Sequence, residues 1–197
     1  MNAALVKPPK MTAQEYFAWE DKQLERHVFY EGEIFSMAGG SDDHNTASLN
    51  IASAIKTHLR GTPCRTFMSD MRVELAENSH YCYPDVFVTC DPRDATPGAS
   101  HLKKHPNLLV EILSPSTSEY DLGRKFEQYR NMPSVQEVLF VDTTRRSVEL
   151  YQRTQDSAQW LLMPAPAGGG VHLKSIDMAL SAATVFESIN PQLPATA

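Results

Sequence analysis

Two carboxylates in this chain stand where a carboxylate is expensive. Asp85 follows Tyr83-Pro84 and leads into the apolar run Val86-Phe87-Val88, while Glu111 interrupts Leu108-Leu109-Val110-Glu111-Ile112-Leu113. Runs so rich in Val, Leu, Ile and Phe read as strands buried on one or both faces. An acid placed there loses its hydration unless something pairs with it. Two such acids on neighbouring strands, with Lys125 close by, point to a divalent-metal site. Magnesium takes hard oxygen ligands in near-octahedral geometry, commonly one or two carboxylates, with water and substrate phosphate completing the shell. Asp85 and Glu111 meet that demand, and the backbone carbonyl of Ile112 can add a third protein oxygen where the strand ends. Mg²⁺ or Mn²⁺ held there would lower the pKa of an attacking water and neutralise charge on a phosphate in transfer. Lys125, a compact cation with rotatable donors, would orient that water or stabilise the added negative charge.

The elements that must position these groups are legible around them. Beyond the Glu111 strand, Ser116 with Glu119, or Ser118 with Asp121, offers a helix cap. Leu122, Phe126 and Tyr129 then form the apolar stripe of a helix. Lys125 borders that stripe and Asp121 stands one turn before it. On an isolated helix Asp121 and Lys125 would read as a surface ion pair; their place directly after the Glu111 strand makes Asp121 an auxiliary site residue. Upstream, Gly39-Gly40-Ser41-Asp42-Asp43 is a loop handing over to a helix over 44–59, with Leu49, Ile51, Ile55 and Leu59 as its stripe and Asp42 or Asp43 as its cap. His44 falls in the first turn, facing whatever cleft the helix start faces. It is the second auxiliary candidate, a capping or surface histidine being the plainer reading.

The rest of the chain supports this centre. Thr12 and Glu15 spell a capping box for a short helix over 11–20 carrying Tyr16, Phe17 and Trp19. Val28 to Phe35, centred on Glu31-Gly32, reads as a hairpin or bent strand, with Glu31 and Glu33 as turn and surface charges. Cys64 to Leu75 is a strand pair or one long strand, with Asp70 before the alternation of Met71, Val73 and Leu75. A polar turn over 76–80 leads to the Asp85 strand, and 91–105 is a longer polar loop. Val135 to Val141, with Glu137 its one acid, and Ser147 to Tyr151 read as a hairpin; Trp160 to Met163 adds a strand and 184–189 a closing helix.

Length and composition exclude several classes. The 197 residues suit one domain over 11–190, with 1–10 and 191–197 as flexible termini. A hydrophobic fraction of 42% and a charged fraction of 21% are those of a soluble globular protein, without a run long enough to span a membrane. The amino terminus lacks an apolar segment behind a basic start, so the cytoplasm is the default. Cys64, Cys82 and Cys90 are odd in number and not closely spaced, which predicts reduced thiols rather than disulfides or a zinc site. A net charge of −6 argues against a surface coated in basic patches for nucleic acid. It leaves room for a local basic rim, for which Arg60, Arg65, Arg72, Lys103, Lys104, Arg124, Lys125 and Arg130 are available.

At this point the residues carry a resemblance. Pro84-Asp85, Glu111-Ile112-Leu113 and the helical Lys125 resemble the core of the PD-(D/E)xK nuclease superfamily, and more narrowly the Uma2 family of restriction-endonuclease-like proteins. Val110 to Thr117, Tyr120 to Phe126, Tyr30 to Ile34, Met37-Ala38-Gly39-Gly40 and His44 extend the likeness over about residues 11 to 190. The resemblance implies an α/β (mixed α+β) fold, a restriction-endonuclease-like central mixed β-sheet flanked by helices. It also implies a metal-dependent endonuclease hydrolysing DNA phosphodiester bonds, with Asp85 and Glu111 as metal ligands and Lys125 as the electrostatic catalyst. Two positions depart from the wider pattern. Leu113 stands where the general motif has its lysine, the charge being relocated to Lys125, and Val28 stands where many relatives carry an acid. The other readings are a catalytically silent nuclease-like fold serving as a nucleic-acid or protein interaction module, and a metal enzyme acting on a nucleotide or small phosphoester. Two-fold dimers are common and suit duplex cutting, so a homodimer is expected.

Overall fold

The computed structural model describes residues 10–37, 40–94, 101–114, 121–155, 159–166 and 168–189. The first half runs α1 (Ala13–Glu20), β1 (His27–Tyr30), β2 (Glu33–Ser36), α2 (Asp42–His58), β3 (Arg65–Met68), β4 (Arg72–Ala76), β5 (His80–Cys82) and β6 (Val86–Thr89). After β7 (Leu102–Lys103) and β8 (Leu108–Leu113), a π-type turn over Asp121–Lys125 leads into α3 (Phe126–Asn131). The chain continues through β9 (Glu137–Asp142), β10 (Ser147–Arg153), β11 (Trp160–Pro164), β12 (Gly170–Leu173), a 3-10 turn over Lys174–Ile176, β13 (Met178–Ser181) and α4 (Ala182–Val185).

Six strands form a mixed sheet in the order β11-β10-β9-β8-β6-β3, in which β8 and β9 are parallel and the other neighbours antiparallel. The apolar runs of β6, β8 and β9 are explained by burial on both faces. Val86, Val88, Val110, Ile112, Leu139 and Val141 point to one side, where Ile51 and Ile55 of α2 cover them. Phe87, Leu109, Val138 and Phe140 point to the other, against Phe126 and Tyr129 of α3. That second face also receives Val73, Leu75 and Cys82 from a five-stranded sheet ordered β2-β1-β5-β4-β7, so one core joins the two sheets. The predicted mixed sheet flanked by helices is therefore present.

Local expectations fared unevenly. The capping box holds: Thr12 Oγ1 accepts the Glu15 N–H at 3.2 Å and Glu15 Oε2 accepts the Thr12 N–H at 2.8 Å. Tyr16 of α1 stacks on Phe29 at 4.8 Å, docking the helix on the five-stranded sheet. The hairpin at 28–35 turns through Glu31 and Gly32, both at positive φ (47° and 89°), the geometry of a tight two-residue turn. Of the strand pair or single long strand expected over 64–75, two strands are present, β3 and β4, but they belong to different sheets and do not pair with each other. The cap of α2 is Ser41 rather than an aspartate, and Leu49 is 57% exposed, on the solvent side of the helix it was expected to anchor. The helix expected at 184–189 begins and ends earlier, as α4, and the β12–β13 hairpin has no counterpart in the expectations. Within 91–105, buried Asp94 accepts the Lys104 and His105 N–H groups, and β7 pairs with β4.

The cysteine expectation fails. Cys64 and Cys90 are joined by a disulfide. They flank the antiparallel pair β3 and β6, whose register sets Arg65 against Thr89 and so the two cysteines against each other one rung further out. Strand pairing, invisible in a spacing of 26 residues, brought them together. On the chain-entropy model such a closure withholds about 3 kcal/mol of freedom from the unfolded state. Cys82 alone remains a thiol, buried. The cap predicted at Ser116 or Ser118, Ala38-Gly39, and both chain ends lie outside the described residues.

Candidate active site

The register of the central sheet assembles the two acids. β6 and β8 pair with Val86 opposite Val110 and Phe87 opposite Leu109, so one more rung sets Asp85 opposite Glu111. Asp85 sits just before β6 rather than inside it, with its side chain 16% exposed. Its Oδ2 accepts the Ile112 N–H at 2.7 Å, which ties it to the residue beside Glu111. The same oxygen lies 3.2 Å from Nε2 of His44. His44 reaches it from the first turn of α2, where its own N–H donates to Ser41 Oγ at 3.2 Å. The residue at 40 must be small for this: a Cβ there would lie 2.6 Å from His44 Nδ1. Behind Asp85, the Tyr83 hydroxyl donates to Glu20 Oε1 at 2.9 Å, and Glu20, fully buried, also accepts the His27 N–H at 3.0 Å. The turn bearing Asp85 is thus tied to the end of α1.

Glu111 is 2% exposed and receives two donors from one helical segment. Lys125 Nζ lies 2.6 Å from Oε2, and the Tyr129 hydroxyl donates to Oε1. The π-type turn over Asp121–Lys125 makes this possible, because its wider spacing rotates the stripe relative to an α-helix. Leu122, expected in the core, is 40% exposed; Lys125, expected at the border, is buried. Tyr129 has its acidity suppressed, its pKa held well above the usual phenol value by burial first and then by Cys82 and Glu111, so it stays a donor. Cys82 Sγ stands 3.6 Å behind its hydroxyl. Sequence reasoning counted Tyr129 only as stripe; its position one turn after Lys125, with a hydroxyl that burial obliges to find a partner, was the available signal.

His80 of β5 is a second omission. It is 3% exposed, neither ring nitrogen has a hydrogen-bond partner, and its ring meets Tyr30 edge-on at 4.7 Å. Burial first, and the Lys125 charge with it, push the imidazole pKa down to about 4, against an opposing influence of the Gln128 amide. It is neutral near pH 7.

The expected residues are therefore brought together in two pairs on one rung, His44 with Asp85 and Lys125 with Glu111. Asp121 opens the π-type turn, and its side chain lies outside the described residues. The basic rim is reduced: Arg72, Lys103 and Lys125 are buried, Arg72 against Asp21 at 2.7 Å and Lys103 on the Asp94 carbonyl at 2.8 Å. Arg60, Arg65, Lys104, Arg124 and Arg130 remain exposed.

Among the described residues no three acids, histidines or cysteines gather as a metal cluster. A magnesium ion does not need three, since one or two carboxylates with water and backbone oxygen suffice. A carboxylate offers about four acceptor sites, which two donors do not exhaust. Asp85 and Glu111, acids on one rung, fit a hard divalent cation by the chemistry of their oxygens. His44 is placed as a support of Asp85.

A family model described as "Uma2: Putative restriction endonuclease" matches residues 13–183. The uncharacterised Synechocystis protein slr1290 is 35% identical over 181 residues, covering 92% of this chain and 94% of its own. A second Synechocystis protein, sll1609, is 36% identical over 152 residues, covering 77% of this chain and 85% of its own. A crystal structure described as a putative nuclease belonging to DUF820, from Anabaena variabilis, superposes with a TM-score of 0.72 at 19% identity, covering 89% of this chain and 97% of that one. That likeness is one of fold. Among the described residues no helix is long and apolar enough to cross a membrane.

Proposed function

Because the chain belongs to the Uma2 family of restriction-endonuclease-like proteins, we propose that it is an endonuclease that hydrolyses DNA phosphodiester bonds with Mg²⁺ or Mn²⁺. The observation that carries this reading is the shared rung of Asp85 and Glu111 with the Lys125 ammonium on the second carboxylate. Asp85, Glu111 and the carbonyl of Ile112 would hold the cation. Bound there, it supplies a water of lowered pKa and neutralises charge at the phosphate. The chain's own groups do the rest. His44 and the Ile112 N–H fix the Asp85 carboxylate, while Tyr129 and Lys125 fix that of Glu111. Lys125 adds one positive charge at a place largely closed to water, where it counts for more than it would in solvent. Exposed Arg124 and Arg130, on the segment that carries Lys125, can meet a phosphate backbone by charge.

One observation favours a second reading, a catalytically silent fold that binds nucleic acid or protein: both oxygens of Glu111 already have donors from its own chain. Calorimetric titration of Mg²⁺ and Mn²⁺, followed by a plasmid-cleavage assay on the same samples, separates the two. The wild type is expected to bind metal and cut, and Asp85→Ala to do neither at unchanged far-UV circular dichroism. Cleavage that survives Asp85→Ala would sink the metal-nuclease reading, and a wild type that binds DNA without binding metal or cutting it would establish the silent module.

A further inference from the structure

Among the described residues β11 is an open edge of the six-stranded sheet, and Trp160-Leu161-Leu162-Met163-Pro164 contains no charge. Leu161, Leu162 and Met163 are 53%, 47% and 46% exposed. An edge strand left bare invites another strand, and proteins blunt such edges with charge or proline; β11 has no charge, and its one proline stands at its end. Two of the other edges carry exposed charge: β3 has Arg65 and β2 has Glu33.

The direction of the free backbone groups can be read from β11's neighbours. Thr154 N–H donates to the Gln159 carbonyl and Ala165 N–H to the Val148 carbonyl, each at 3.0 Å. Because successive residues of a strand turn their N–H and C=O groups to opposite sides, residues 159, 161, 163 and 165 address β10. Trp160, Leu162 and Pro164 address solvent. Pro164 accordingly sits where its missing N–H costs the ladder nothing.

We propose that this edge pairs with β11 of a second copy, antiparallel, about a two-fold axis at Leu162. In that register Leu162 exchanges both its N–H and C=O with Leu162 of the second copy. Trp160 N–H reaches the Pro164 carbonyl opposite, and the ladder stops there for want of a proline N–H. On one face Leu161 meets Met163; on the other Leu162 meets itself. Every contact is apolar on apolar, and one patch serves both copies, as a two-fold interface requires. Charge selects this occupant too: chains of net charge −6 repel one another, and an uncharged edge is where two copies can approach without opposing like charges.

Size-exclusion chromatography with light scattering should give twice the chain mass for the wild type. Leu162→Lys sets two ammonium groups against each other on the axis and should weaken the dimer on the order of 100-fold, while Leu49→Lys, on exposed α2 surface, should leave it intact. A hydrogen-bonded antiparallel pair has its Cα atoms about 5.5 Å apart, within reach of a disulfide. Leu162→Cys should therefore cross-link on oxidation, and Leu161→Cys, which faces Met163, should not. A wild type of one chain mass, a dimer that survives Leu162→Lys, or Leu161→Cys linking as readily as Leu162→Cys would each overturn the proposal.

Discussion

Glu111 on β8 and Glu137 on β9 are both 2% exposed, in adjacent parallel strands, and they are buried for different ends. Glu137 is held by neutral donors: the Lys174 and Ser175 N–H groups and the Gln152 amide, each at 2.8 Å. It ties the 3-10 turn between β12 and β13 to the start of β9, and all its donors are accounted for by architecture. Glu111 lies further along the strands, on the opposite face, with a buried cation and a phenol as partners and a second acid across the rung. Open sheets with parallel strands place ligands beyond the carboxyl ends of those strands. A buried acid paired with backbone is a fastening, whereas one paired with a lysine beside another acid is a centre of charge that can be reassigned.

Three experiments sharpen or break this contrast. The largest effect belongs to Glu111→Ala, which leaves the Lys125 ammonium buried without that carboxylate and should cost about 3–5 kcal/mol in urea unfolding. Adding Lys125→Met should restore most of that stability and none of the cleavage. Glu137→Ala should lower stability by about 2 kcal/mol, leave cleavage per folded molecule unchanged, and have no single rescuing partner. If Lys125→Met fails to rescue, the contrast between the two acids collapses.

The second experiment turns on His80, a buried group with no hydrogen-bond partner. Its imidazole protonates near pH 6.5 in the unfolded chain and near 4 in the fold. Between those values the unfolded state binds more protons, so stability falls as pH falls through the window, by up to about 3 kcal/mol, and is flat above it. His80→Phe should flatten that part of a stability-versus-pH curve; an unaltered slope would show that the proton is taken up elsewhere. Smallest is Tyr129→Phe, which removes one donor from Glu111. A loss of about 1 kcal/mol in unfolding, with a several-fold drop in cleavage, is expected. A wild-type rate would reduce Tyr129 to packing.

The acids were legible because apolar neighbours make them conspicuous: Asp85 borders one apolar run and Glu111 interrupts another, and a charge so placed needs a partner. Lys125 was legible by its place after the Glu111 strand. What stayed hidden depended on partners remote in sequence or on departures from regular geometry. Leu122 and Lys125 exchange their expected environments because a π-type turn changes the phase of the helix, and helical periodicity assumes that phase. Cys64 and Cys90 meet through a strand pairing that no spacing reveals. The β12–β13 hairpin alternates buried and exposed residues over only four positions per strand, and the acid that fastens the turn between them, Glu137, is 37 residues away from Lys174. Arg72 and Lys103 looked like rim because sequence shows charge and not burial.

The shared rung has a consequence for the order in which the site comes into being. Glu111 meets Lys125 and Tyr129 across 14 and 18 residues, within a single strand-to-helix passage. Asp85 must wait for a partner 27 residues away at Ile112 and for His44 on a helix from the far side of the sheet. Short loops close at lower entropic cost than long ones. A nascent or partly opened chain can therefore hold the cation and its glutamate together before the second acid arrives, so the Glu111 charge is neutralised internally until the sheet is complete. On the metal-dependent reading proposed above, taking up an external cation would require the closing of β6 onto β8.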